Sequence, residues 1–212
     1  MSNTNHDFHP TALAAVNEAL IVLGQDVTLE ELSKTSATVN SRKAAFLYET
    51  SRMKVLRDHD WNFATEELTI DSCHCDCLEG AMPYHSQKPP RCVRVLACKY
   101  GGELSEWRIV GNEIHSSLPI DCITYIKDIE DLNRWTPDAY RALVLRLAAD
   151  LAKPITGRIN ERQMQEEAYQ GQVQTARLSD AKEANVPYDA WGENHYVKAM
   201  RGESRLTPDF RR

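Results

Sequence analysis

The chain has 212 residues, 42% of them hydrophobic, and a formal net charge of -6. That length and apolar content suit one domain with room for a small inserted subdomain, and they exclude wholesale disorder. The acidic balance counts against a protein that grips nucleic acid through its phosphates, which shows a basic excess.

The N-terminal stretch "MSNTNHDFHPTALAAV" has no basic start followed by an apolar run, so no signal peptide is expected. The most apolar run, "YRALVLRLAADLA", is broken by Arg146 and Asp150 and is not expected to cross a membrane. The six cysteines of a chain made in the cytosol are expected to stay reduced.

The first element is "HPTALAAVNEALIVLGQ". Leu13, Val16, Leu20 and Leu23 recur at spacings of three and four, one helical stripe, with Pro10 suited to the first turn and Gly24 to a left-handed cap. "TLEEL" follows, with Thr28 and Glu31 placed as the capping box of a short turn. A second helix is expected from about Thr38 to Asp58, with a broad face of Ala45, Phe46, Tyr48, Met53, Val55 and Leu56. In "WNFATEELTI", Trp61 and Phe63 alternate as in a strand. The cysteine-rich stretch and "GAMPYHSQKPP" read as an irregular connection, given Pro83, Pro89 and Pro90. "RCVRVLACKY" is a predicted strand. "EWRIVGNEIHSS" is a predicted hairpin turning on Gly111-Asn112, and "DCITYIKDI" is one more strand. Helix returns at "WTPDAYRALVLRLAADLAKPIT", with Thr136 as N-cap, Pro137 as first residue and Pro154 as terminator.

A long helix is expected from about Asn160 to Glu183, with a thin stripe of Met164, Ala168, Gly171, Thr175 and Leu178. So little apolar area holds a helix weakly unless something else covers it. The final residues look like an extended arm. Tyr188, Trp191, Tyr196 and Phe210 supply aromatic surface there without a core of their own, which suits an interface. The fold class is therefore α+β, mainly α. It is a bundle of about four helices, the last one long, with an inserted small antiparallel sheet and an extended C-terminal arm. The divisions fall at 1–59 (helical), 60–128 (β subdomain), 129–185 (helices completing the bundle) and 186–212 (arm).

The stretch "SCHCDCLEG" puts Cys73, Cys75 and Cys77 at alternate positions, with His74 and His85 close by in sequence. Residues two apart in an extended chain are roughly 6.6 Å apart, whereas neighbouring sulfurs on one zinc lie within about 4 Å. No second C-x2-C or H-x3-H pair completes the set. The expectation is a loop of reduced thiols and no metal or cofactor, with Cys92, Cys98 and Cys122 as small core residues of the sheet. The other reading is a small zinc-stabilised nucleic-acid or regulatory module built on Cys73–Cys77. No nucleophile, metalloprotease or P-loop motif is present, and no catalytic residue is assigned. His59 reads as a helix-end or packing residue, Trp135 as a packing anchor, and Glu66-Glu67 and Glu166-Glu167 as solvent-facing pairs.

The order of elements, with "ALAAVNEALIVLGQ", "DHDWNFATEELTI" and "RWTPDAYRALVLRLAADLAKPITGR", resembles the tail tubular protein A family, the head–tail adaptors (connectors) of tailed bacteriophages. "PPRCVRVLACKY" and "WRIVGNEIHSS" also resemble that family, so the likeness spans nearly the whole chain; the Cys73–Cys77 cluster departs from it. The resemblance implies a structural protein and no enzyme. It implies a ring of twelve subunits beneath the capsid portal protein, leading DNA into the tail nozzle protein during ejection. It places the protein at the head–tail junction of the virion, and in the host cytoplasm during assembly. DNA would pass the lumen without specific binding, and no membrane is involved. Tyr188, Trp191, Tyr196, Phe210, Met164 and Leu178 are the candidate portal and subunit contacts.

Overall fold

The computed structural model describes residues 10–26, 28–36, 38–71, 73–74 and 82–183. Cys75, Cys77 and the proposed arm with Tyr188, Trp191, Tyr196 and Phe210 lie outside the described residues.

Helix α1 spans Ala12–Val22. Thr11 is its N-cap, its hydroxyl accepting from the Ala14 N–H at 3.1 Å, so Pro10 precedes the helix rather than filling its first turn. Gly24, at φ 67°, takes the left-handed conformation expected of it. The Thr28–Glu31 capping box caps nothing, because the segment never turns helical. Two α-helical side chains hold it extended instead. Asn17 exchanges two hydrogen bonds with the Leu29 backbone, at 2.7 and 3.0 Å, and the Ser41 hydroxyl donates to the Glu31 carbonyl at 2.7 Å. Helix α2, Val39–Asp58, matches its expected span. Its buried face carries Ala44, Ala45, Tyr48, Arg52, Val55 and Leu56, while Phe46 is exposed under the Lys34 ammonium.

Trp61 and Phe63 do not alternate in a strand. They flank and join a 3-10 turn at Asn62–Ala64, and β1 begins only at Thr65 (Thr65–Thr69). Trp61 is fully buried and donates its indole N–H to the Val55 carbonyl at 2.8 Å, so this aromatic pair belongs to the helical core. The stretch read as irregular contains two short strands, β2 (Cys73–His74) and β3 (Tyr84–Gln87), paired antiparallel. Then come β4 (Cys92–Tyr100), β5 (Glu103–Leu104), β6 (Trp107–Val110), β7 (Glu113–Ser116) and β8 (Cys122–Lys127). The β6–β7 hairpin turns at Gly111, φ 62°, where a side chain would be strained. The strands form two four-stranded sheets rather than one, in the orders β1-β8-β4-β5 and β2-β3-β7-β6.

Helix α3, Pro137–Thr156, starts at the Thr136 cap as expected but runs through Pro154. A proline in the last turn forfeits one backbone bond. The helix ends instead at Gly157, φ 72°, whose N–H reaches the Lys153 carbonyl at 3.1 Å. Helix α4 spans Ile159–Glu183. The larger core gathers all four helices with Trp61, Trp135, Val93 and Ile126; a smaller one gathers Val95, Cys98, Ile114, Ile120, Ile123 and Tyr125 from both sheets. The architecture is thus mainly α, with an inserted antiparallel β part.

Candidate assembly surface

Helix α4 is held by one face. Gln165, Tyr169, Val173, Ala176 and Asp180 are its buried residues, spaced as a single helical stripe. Arg146 of α3 crosses to Glu166 at 2.6 Å, chelates Asp150 at 2.6 and 2.9 Å, and lies over the Tyr169 ring. Tyr169 donates its hydroxyl to Asp58 Oδ2 at 2.6 Å, and burial drives its phenol well above the ordinary range. At the far end Asp180 accepts from the Asn62 backbone and lies 3.1 Å from His59 Nε2.

The expected stripe is on the other side. Met164 is 57% exposed and Leu178 67%, and Ala168, Gly171 and Thr175 between them are exposed as well. Helix α4 is therefore firmly attached to its own chain, contrary to the expectation of weak attachment, by residues that are mostly polar or aromatic. The apolar and small residues form a separate line facing solvent, about half a turn away from the buried stripe. The β part also carries exposed apolar side chains: Tyr100, Leu104 (73% exposed), Ile109, Val110 and Leu118. Strand β6 is the terminal strand of its sheet. Its pairing with β7 leaves the Trp107 and Ile109 backbone groups on the open edge, because the hydrogen-bonded positions are 106, 108 and 110.

Several polar groups that sequence reading left aside prove to be clamps. Arg52, buried in α2, bonds Asp128 and donates to the Ile129 carbonyl at 3.1 Å and to Glu49 at 2.7 Å, tying α2 to the exit of β8. Glu66 and Glu166, expected to face water, are partly covered ion-pair partners of Lys127 and Arg146. His59 and Trp135 take the packing roles expected. His59 meets Trp61 edge-on at 4.8 Å, and Trp135 is buried beside Phe63. The only sequence signal for the clamps was a charged residue on an otherwise apolar helical face, as at Arg52 and Arg146.

Little in these groups suits catalysis. Burial pushes the Cys98 thiol up to about 11 and raises Cys92 and Cys122 too, which disfavours reactive thiolates near neutrality. Among the described residues no group of three histidine, cysteine or acidic side chains is placed to hold a metal ion, and no helix is long and apolar enough to cross a membrane. Comparison with known protein families finds no match, and comparison with curated proteins finds none either.

Proposed function

We propose that the chain is a structural subunit of a head–tail adaptor ring in a tailed-phage virion, seated between the portal protein and the tail nozzle protein. The partners come from the sequence resemblance. The observation that carries the assembly role is the uncovered line of Met164, Ala168, Gly171, Thr175 and Leu178 on a helix whose opposite face is already fixed. A head-to-tail ring needs two different complementary surfaces on each subunit. The α4 line offers one such surface, and the exposed Leu104 of β5 and Ile109 and Val110 of β6 lie on a separate part of the chain. An acidic protein around a DNA passage also makes sense, since basic walls would retain DNA by counterion release. The net charge of -6 weighs equally against the alternative of a nucleic-acid-binding module.

Portal rings mixed with the purified protein are expected to gain a layer under the electron microscope. The double variant Met164→Asp, Leu178→Asp changes two exposed residues, so it should keep its fold and lose this addition. A wild-type chain that adds no layer removes the adaptor reading. A double variant that adds normally keeps the adaptor but moves the interface off α4.

A further inference from the structure

Strand β6 ends its sheet with no neighbour on its outer side among the described residues. Its pairing with β7 leaves the N–H and C=O groups of Trp107 and Ile109 facing outward. An open edge of this kind is a template for one more strand. The side chains along it set what that strand must carry. Ile109 stands opposite the fully buried Ile114 and is itself 45% exposed, and Trp107 packs against the smaller core, so this face of β6 is the rim of that core. Arg108, on the other face, is exposed. Directly opposed residues of paired strands share a face, with Cβ atoms about 4.5–5.5 Å apart. A strand that fits therefore places apolar residues opposite Trp107 and Ile109 and an acidic residue between them, opposite Arg108. The two apolar residues also need a backbone N–H to complete the ladder.

Residues 184–212 follow the end of α4 at Glu183, and their acids are Asp189, Glu193, Glu203 and Asp209. Glu193 and Glu203 each follow a glycine and precede Asn194 or Ser204, so neither has apolar flanks. Asp209 follows Pro208, which has no N–H to give. Of the four, only Asp189 meets the requirement, between Tyr188 and Ala190. Antiparallel pairing is the more stable kind. In that register Tyr188 comes opposite Ile109, Asp189 opposite Arg108, and Ala190 opposite Trp107. Pro187 then comes opposite Val110, a position whose N–H would point away from β6, so its missing donor costs the ladder nothing.

We propose that residues 186–191 of a second copy of this chain dock on β6 as an added antiparallel strand. Main-chain hydrogen bonds at Trp107 and Ile109 supply the affinity, and the pairing of Asp189 with Arg108 selects the segment. The chain's own tail is poorly placed for this. The Asn62 side chain donates to the Asp180 carbonyl at 2.8 Å, so α4 ends beside the start of β1. Strand β6 follows β5, which lies at the opposite edge of the first sheet and, by register, at the far end of its strands. Three strand spacings by four residue rises put those corners roughly 19 Å apart. The five residues from Glu183 to Tyr188 span about 17 Å fully extended, with no slack for a path round the sheet. A neighbouring copy has no such limit. Each copy offers a tail to one neighbour and an edge to another, which is a head-to-tail contact. The inference concerns contacts between copies and does not rest on the portal or nozzle as partners.

The test uses full chains with the charges exchanged, followed by sedimentation velocity. The wild type should associate as its concentration rises. Arg108→Asp and Asp189→Arg should each weaken that association about tenfold. Mixed in equal amounts, the two variants should associate as the wild type does, because each edge then meets a tail of opposite charge. Asp7→Arg, which reverses an acid at the other end of the chain, should change nothing. A wild type that stays monomeric overturns the proposal. So do charge variants that associate normally, a mixture that fails to recover, or an Asp7→Arg chain that loses association in their place. If a variant fails to fold, amide hydrogen exchange of the wild type decides. The Trp107 and Ile109 N–H groups should exchange more slowly as concentration rises. Rates independent of concentration overturn the proposal: fast ones mean an open edge, slow ones an edge covered by its own chain. Loss of self-association while portal rings still gain a layer removes this contact and leaves the adaptor reading in place.

Discussion

His59 stands where α2 ends, edge-on to Trp61, with Nε2 at 3.1 Å from Asp180. Burial lowers its proton affinity, with help from Arg177 and Arg94, and this outweighs the pull of Asp180. The sign follows. A histidine whose folded pKa is depressed is neutral in the fold, while the unfolded chain takes up a proton near pH 6.5. Its contribution to stability is complete above about pH 6.5 and is lost as pH falls through the folded value. Urea midpoints of the wild type should therefore drop between about pH 7 and pH 5.5, and His59→Gln should flatten that drop. Equal slopes for the two proteins would place the pH sensitivity elsewhere.

At the scale of elements, α4 decides how the exposed line is understood. Leu178→Ala should change stability by less than about 0.5 kcal/mol, because the side chain already sits in water. Val173→Ala, on the buried stripe, should cost about 2 kcal/mol in urea denaturation. The reverse ranking would mean that the two faces have been exchanged. Sequence could place this helix but not its phase. Apolarity picked out the thin stripe with Met164 and Leu178, whereas the packed side includes Gln165, Tyr169 and Asp180 and is made buriable by distant partners, Arg146, Asp58 and Asn62. Elements whose signals are local were legible: the Thr136 cap, the Gly111 turn, and the span of α2. Strands β2 and β3 were not, because segments this short gain their conformation from pairing, β2 with β3 and β3 with β7, rather than from their own residues.

For the whole molecule, the question is whether the helical and β parts stand alone. Strand β8 argues that they do not. Its successive residues point to opposite faces, so Ile126 enters the helical core while Ile123 and Tyr125 enter the smaller one. Val93 of β4 joins the helical core as well, and Arg52 clamps α2 to Asp128 and Ile129 just beyond β8. A sheet that is one wall of both cores couples them, since melting either exposes side chains that the other buries. The chain should therefore unfold in a single transition, with coincident midpoints for helical circular dichroism and tryptophan fluorescence. Ile126→Ala and Ile123→Ala should each cost roughly 3 kcal/mol and shift both signals together, although only Ile126 touches the helices. An Ile123→Ala protein whose β part melts first, with the helical signal unmoved, would show two independent units. Coupling of this kind bears on assembly. Under the proposed adaptor role, a subunit gripped on α4 and again through its β part would have its two contacts joined by the sheet that both cores share.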